Sequence, residues 1–234
     1  MKNSSHGTSA GLGRRAFIKK ASGLAGLVAA GMSLGEIAAA SGTTPNVRKR
    51  SDLEKLLPEL EDQNEKFLFF DHADGRLLHL LAATARPRRV LELGTCLGYA
   101  TLWLATAVGE TRGNIISIEI MPERVEVARK RLARAGFSKR VTLLEGDGHK
   151  LLAGIPGPFD FVFLNADKTG NVDYFQKLHP RKLSPGALLL AYGATTRKEQ
   201  MQDYLKMITA HADFDTVILS AGSDDSFCVS RRNS

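Results

Sequence analysis

The sequence predicts an α/β fold: a doubly wound, mostly parallel sheet of seven strands that ends in a C-terminal antiparallel hairpin. Three observations predict it. From Arg89 onward, short apolar runs alternate with segments of helical periodicity, the pattern of a parallel sheet covered on both faces. The first of these runs passes directly into a glycine-rich turn, Gly94-Thr95-Cys96-Leu97-Gly98, and then into a helix. The last two runs are separated only by the polar turn Ala221–Asp225, which makes them a hairpin.

Each element follows in order. Leu53, Leu56, Leu57 and Leu60 recur at helical spacing from Ser51, interrupted only by Pro58. A second helix over about 74–85 carries Leu77, Leu78, Leu80 and Leu81, and Pro87 ends it. Residues 89–93 form the first strand and 99–108 the helix after the glycine turn. A continuous β-branched strand at 114–118 precedes a helix at 122–135 with Pro122 in its first turn. Strands at 140–144, 159–164 and 187–191 follow, the last behind the turn residues Ser184-Pro185-Gly186. A helix at 197–211 leads to the hairpin strands, 216–220 and 226–231. Neither an internal repeat nor a second domain is visible; residues 51–234 read as one domain and 41–50 as a linker.

Residues 1–40 read as a leader. Gly13-Arg14-Arg15-Ala16-Phe17-Ile18-Lys19 precedes a modestly apolar run from Ala21 to Leu34, and Ala38-Ala39-Ala40 offers the small residues that a signal peptidase accepts. Paired arginines followed by Phe, an aliphatic residue and Lys resemble the twin-arginine signal, which implies export from the cytoplasm in the folded state. The apolar run is too short and glycine-rich to be a stable membrane anchor.

The net charge is +7, and the leader accounts for much of it. Lys2, Arg14, Arg15, Lys19 and Lys20 stand there against Glu36, so the rest of the chain carries +3, spread along its length. No basic block interleaved with aromatics remains, which argues against nucleic acid as a partner. Hydrophobic residues at 43% and charged residues at 24% are ordinary for a globular domain that needs no staples. Cys96 and Cys228 fit no metal or redox spacing and read as buried free thiols, with a disulfide between them as the alternative.

The chemistry concentrates at three strand ends. The first is the run Val90-Leu91-Glu92-Leu93-Gly94-Thr95-Cys96-Leu97-Gly98-Tyr99-Ala100-Thr101, where glycines let backbone approach a ligand at a helix start. Glu119 ends the second strand, and a carboxylate there can accept hydrogen bonds from both ribose hydroxyls of a nucleoside ligand. Glu145-Gly146-Asp147-Gly148 ends the third, with small residues beside the place of a base edge. The turn lacks the Gly-x-Gly-x-x-Gly order that cradles a pyrophosphate, which weighs against a nicotinamide-dependent oxidoreductase.

With these motifs, residues from about 52 to 232 resemble the small class I O-methyltransferases, the family of catechol and caffeoyl-coenzyme A O-methyltransferases. Glu92, Gly94, Gly98 and Tyr99 match its Glu-x-Gly-x-x-x-Gly-Tyr turn, and Glu119 its acidic ribose clamp. Phe159-Asp160-Phe161-Val162-Phe163-Leu164-Asn165-Ala166-Asp167-Lys168 matches its Phe-Asp-x-Val-Phe strand and the Asp-Ala-Asp-Lys loop after it. The resemblance implies a Rossmann-like fold, S-adenosylmethionine as cofactor, a small-molecule methyl acceptor and a homodimer. It places Glu92, Gly94, Cys96, Gly98, Tyr99, Ala100, Glu119, Ile120, Asp147, Gly148, His149 and Asn165 around the cofactor, with Lys168 as the general base.

The departures from the family pattern concern metal. The family holds a divalent cation with the first Asp of Asp-Ala-Asp-Lys and an Asp-Asn pair after the fifth strand. Here those positions are Asn165, Tyr192 and Gly193, so two carboxylates are missing. The expectation is a metal-independent O-methyltransferase, with Tyr192 filling the vacated place and Lys168 neutral enough to take a proton through burial or a neighbouring cation. The alternative is a protein that binds S-adenosylmethionine and has lost transfer together with its metal. His72 is a further candidate for the acceptor pocket.

Overall fold

The computed structural model describes residues 50–60 and 70–233. The expected leader lies outside the described residues, as does the linker except for Arg50. Helix α1 spans Arg50–Leu60 and α2 His72–Ala85. Strand β1 (Arg89–Leu93), α3 (Tyr99–Val108), β2 (Asn114–Glu119), α4 (Pro122–Arg134) and β3 (Val141–Glu145) form the first half of the sheet. Helix α5 (Gly148–Gly154), β4 (Phe159–Leu164), α6 (Asn171–Leu178), β5 (Leu183–Tyr192), α7 (Lys198–Thr209), β6 (Phe214–Leu219) and β7 (Phe227–Arg232) complete it. No helix among the described residues is long and apolar enough to cross a membrane.

The strand order is β3-β2-β1-β4-β5-β7-β6. Pairs from β3 through β5 are parallel, and β7 runs antiparallel to both β5 and β6. The chain moves outward from β1 to β3 and returns to place β4 on the other side of β1. That reversal opens a crevice at the carboxyl ends of β1 and β4, where ligands bind in sheets of this kind.

The apolar runs determine which strands are central. In β4, residues 161–164 are fully buried, because α-helices cover both faces of the sheet. On one face Leu53, Leu78, Trp103, Phe161 and Phe163 belong to a single core; on the other Leu93, Leu152, Val162, Phe175, Met201 and Tyr204 belong to a second. Burying each large side chain of this kind contributes roughly 1.5–3 kcal/mol.

The differences from expectation are local. α2 starts at His72 because Asp71 caps it, its carboxylate accepting the Asp74 N–H at 2.9 Å. β5 begins at Leu183, ahead of Pro185-Gly186; its pairing with β4 shifts register across those residues, since proline has no N–H to give the ladder. α5 and α6 have 7 and 8 residues, too few periods for a reading of the sequence to separate them from loop. Both cysteines are free: Cys228 is buried, whereas Cys96 is only partly so.

Candidate functional site

A cavity of about 1040 Å³ opens at the carboxyl ends of β1 to β5. It is large enough for a nucleoside cofactor with a small second molecule beside it.

The turn after β1 forms the first wall. Gly94 and Thr95 donate their backbone N–H groups to the Ile118 carbonyl at 2.9 and 3.1 Å, which ties the turn to the end of β2. Gly94 has φ 93°, and a Cβ there would lie 2.5 Å from the Asn165 carbonyl oxygen. Only glycine lets the ends of β1 and β4 approach this closely. Glu119 is 5% exposed and braces the same wall. Its Oε2 accepts the Cys96 N–H at 2.8 Å and its Oε1 the Met121 N–H at 3.0 Å. A carboxylate has about four acceptor positions, so two remain for a vicinal diol.

Two residues of the turn stand elsewhere than expected. Gly98 is outside the cavity lining; it starts α3 with φ 83°, and a Cβ on it would come within 3.1 Å of Ala128 Cβ on α4. Its smallness serves helix packing. Glu92 is likewise outside the lining and fully buried, with Oε2 accepting from Ser117 at 2.5 Å and Thr101 at 2.6 Å. Its Oε1 has no hydrogen-bond partner among the described residues. Glu92 therefore links β1, β2 and α3 beneath the turn.

Burial pushes Glu92 up to about 7, against the two donating hydroxyls, and the charge on Glu119 pushes the same way. An unfolded glutamate releases its proton near 4.5, so between that pH and about 7 the unfolded chain is ionised while the folded one stays protonated. Stability from this group is full below pH 4.5 and falls as pH rises to about 7, by about 2–3 kcal/mol. The variant Glu92→Gln should lack this slope: chemical denaturation at pH 5 and pH 8 should show its stability relative to wild type improving by that amount. An unchanged difference at the two pH values would refute a protonated Glu92.

The second wall follows β3. Asp147 caps α5 by accepting the His149 N–H at 2.9 Å. The His149 ring stacks on Tyr174, with centroids 4.1 Å apart. Its Nδ1 bonds Asp173, and its Nε2 lies 3.2 Å from Asp167 Oδ2. Tyr174 in turn donates to Asp167 Oδ1 at 2.7 Å. Burial lowers the His149 pKa, but the bonds to Asp173 and Asp167 outweigh it and hold the ring above the usual histidine value. Ile120, 63% exposed, lies on the cavity surface between this wall and the first.

The third wall comes from β4, β5, α2 and the hairpin. Lys168 Nζ donates to Asn165 Oδ1 at 3.0 Å and lies 6.0 Å from the centre of the Tyr192 ring. Burial lowers the Lys168 pKa to about 8; Arg197 pushes it further down, while Asp225 and Asp167 oppose the shift. The Tyr192 hydroxyl donates to Asp74 Oδ2 at 2.5 Å, and Ser223 donates to Asp74 Oδ1 at 2.7 Å. Asp74 is fully buried, and burial raises its pKa despite these bonds. Asp225 accepts the N–H groups of Thr195, Thr196 and Ser226, which pins the hairpin to the loop after β5.

Of the expected site residues, Gly94, Cys96, Tyr99, Ala100, Glu119, Ile120, Asp147, Gly148, His149, Asn165 and Lys168 all line the cavity. His72 does not: its side chain is 52% exposed, 3.9 Å from Glu54 and edge-on to Trp103. Phe70, Asp71 and Asp74 of the same segment line the cavity instead. Asp74, Arg124, Thr196 and Arg197 were missed by the sequence reading, and only Asp74 carried a signal. It shares a helical face with Leu78 and Ala82, an acid on an apolar stripe.

The family described as O-methyltransferase matches residues 47–196. Catechol O-methyltransferase of Mycobacterium tuberculosis is 47% identical over 105 residues, which make up 44% of this chain and 46% of that protein. Caffeoyl-CoA O-methyltransferase of Stellaria longipes is 27% identical over 137 residues, 56% of each. The chain spans about half the length of these curated relatives. Among solved structures, cofactor-bound Rv0187 from MTB superposes with a TM-score of 0.69 at 28% identity, covering 78% of this chain and 89% of that one. The O-methyltransferase from Bacillus cereus in complex with SAH gives 0.69 at 24% identity, over 79% and 92%, a likeness of fold.

Proposed function

Since this chain belongs to the O-methyltransferase family, we propose that it transfers a methyl group from S-adenosylmethionine to a hydroxyl of a small molecule, without a divalent metal. The observation that carries the proposal is a single cavity with Glu119 on one wall and a lysine of lowered pKa, Lys168, on another.

The residues at the three metal positions do not suit a cation. Asn165 Oδ1 accepts from Lys168, and the Tyr192 hydroxyl is given to Asp74. Gly193 offers no side-chain donor, and a Cβ there would lie 3.1 Å from Lys168 Cε. A hard cation needs several oxygen ligands, and one neutral amide oxygen does not supply them. The chemistry is therefore assigned to side chains alone.

S-adenosylmethionine, when bound, supplies a methyl group on a positively charged sulfur. Glu119 would take its ribose hydroxyls, and Ile120, Asp147, Gly148 and His149 would border its base. Lys168 does the proton work. With a pKa near 8, about one molecule in ten carries a neutral amine at pH 7, able to accept the acceptor hydroxyl's proton as the oxygen takes the methyl. Holding the nucleophile in line with the methyl supplies much of the rest.

Calorimetric titration should give micromolar-range S-adenosylmethionine binding that is equal with magnesium and with EDTA. Turnover of a labelled methyl donor with a panel of phenols should then proceed in EDTA. Absence of binding would overturn the proposal. Binding without transfer to any acceptor would favour a protein that retains the cofactor and has lost the reaction. Turnover that EDTA abolishes would restore a metal to the site.

We extend the proposal to location: residues 1–40 direct export by the twin-arginine route, which carries folded proteins and is compatible with a bound nucleoside cofactor. Replacing Arg14 and Arg15 by lysines should retain the protein in the cytoplasm, as cell fractionation would show; unchanged export would remove this reading.

A further inference from the structure

Far from the cavity, His179, His211 and Asp213 bring three ligand atoms within 4.8 Å of one another, a grouping that no other set of described His, Cys, Asp and Glu residues forms. His179 follows α6, ahead of β5, and the other two lie in the loop between α7 and β6. Both segments are at the amino ends of their strands, whereas the cavity is at the carboxyl ends. From this geometry we propose that His179, His211 and Asp213 form a site for a divalent transition metal of the zinc class.

The donor set is the first argument. Two imidazoles and one carboxylate are the ligands of a three-residue zinc site whose fourth position stays open to water. The combination discriminates against calcium and magnesium, which ask for oxygens.

The arrangement is the second. His179 Nε2 already lies 3.0 Å from Asp213 Oδ2. Donors on a tetrahedral zinc sit about 3.3 Å apart, given metal–ligand bonds near 2.0 Å. His211 Nδ1 accepts the backbone N–H of Asp213 at 3.2 Å, which leaves that nitrogen unprotonated and holds the ring beside Asp213. A long amide bond of this kind gives way readily to a metal. The two imidazoles meet edge to face, with centroids 4.9 Å apart. Closing the site therefore needs a movement of His211 and an adjustment of the Asp213 side chain, which is 57% exposed.

The surroundings are the third. The rings of Phe175 and Phe214 lie 5.4 and 5.3 Å from the His179 ring and fix it, giving one ligand on a rigid base. The neighbouring Arg232 is occupied by the carbonyls of Pro180 and Leu183. Asn233 N–H donates to the Asp213 carbonyl, so the end of β7 is tied to the same loop. A metal here would fasten the end of α6 to the start of β6 and the end of β7, a structural role at the edge of the sheet.

The test uses tag-free, chelator-treated protein and Zn²⁺ alone. Calorimetry should show one zinc per chain at micromolar affinity or tighter, with a rise of several degrees in unfolding temperature. Cobalt substitution should give the visible absorption of a four- or five-coordinate ion. The variants Asp213→Asn and His211→Gln change exposed or loop positions and leave the packed His179 ring in place. Each should weaken zinc binding at least tenfold, with S-adenosylmethionine binding unchanged. Failure of wild type to bind zinc overturns the proposal. So does binding that neither variant weakens, because the metal would then sit elsewhere.

Discussion

Exchanging Lys168 for methionine should lower methyl transfer by about two to four orders of magnitude, the usual contribution of a positioned general base. Affinity for S-adenosylmethionine should stay within about threefold, because Glu119 and the turn after β1 lie on another wall of the cavity. Wild-type kcat/KM should rise with pH through an apparent pKa of about 8, the value to which burial and Arg197 bring the amine. The methionine variant should lose that limb. Lys168→Arg should not restore it, since a guanidinium keeps its charge throughout this range. The variant should fold at least as well as wild type. The folded state disfavours the ammonium, so the cost of charging it is present below about pH 8 and disappears above the ordinary lysine value of 10.5. Steady-state rates from pH 6 to 10 provide the check. A methionine variant with wild-type rate and pH profile would remove Lys168 from the chemistry and leave positioning alone as the source of catalysis.

Replacing Glu119 by alanine should weaken S-adenosylmethionine binding by about two to four orders of magnitude. Hydrogen bonds to a charged group contribute about 1.5–3 kcal/mol each, and a ribose diol would make two. The same substitution frees the Cys96 and Met121 N–H groups that the carboxylate holds at 2.8 and 3.0 Å, so the turn loses its brace. Glu119→Gln retains one acceptor oxygen and should show an intermediate loss near tenfold. Calorimetry compares the three proteins, and a thermal melt verifies that each is folded. If the alanine variant bound the cofactor as wild type does, the ribose contact would be refuted and the role of Glu119 reduced to bracing.

The cavity wall at the ends of β1 and β2 was legible because its signals are local. A turn between a strand and its following helix is built from adjacent residues, so Gly94, Tyr99 and Ala100 could be read together. Glu119 is identified by its place at the end of the next strand. Helical phase, by contrast, was read from an assumed start at Asp74. With Asp71 capping α2, the face shared by Asp74, Leu78 and Ala82 turns inward. His72, two residues and about 200° away on the helix, turns out to solvent.

The same contrast divides Glu92 from Glu119. Both are acids on adjacent strands, and both are buried. Glu119 ends its strand and reaches the cavity, whereas Glu92 sits two residues before its turn and meets Thr101 and Ser117 underneath. No motif states which side of the backbone a ligand occupies.

By itself the sequence determined the order of the strands and of the longer helices, the three strand ends that line the cavity, and the residues Asn165, Tyr192 and Gly193 that follow β4 and end β5. These follow from periodicity, turn chemistry and residue identity, all properties of neighbouring residues. Only the tertiary structure decided that Tyr192 meets Asp74, 118 positions away, and that Ser223 reaches the same carboxylate from the hairpin. It also decided that Lys168 is crowded enough to lose its proton near pH 8 and that His179 meets Asp213. The reason is physical: a side chain's proton affinity and partners depend on what excludes water around it, and that is supplied by segments far away in the chain.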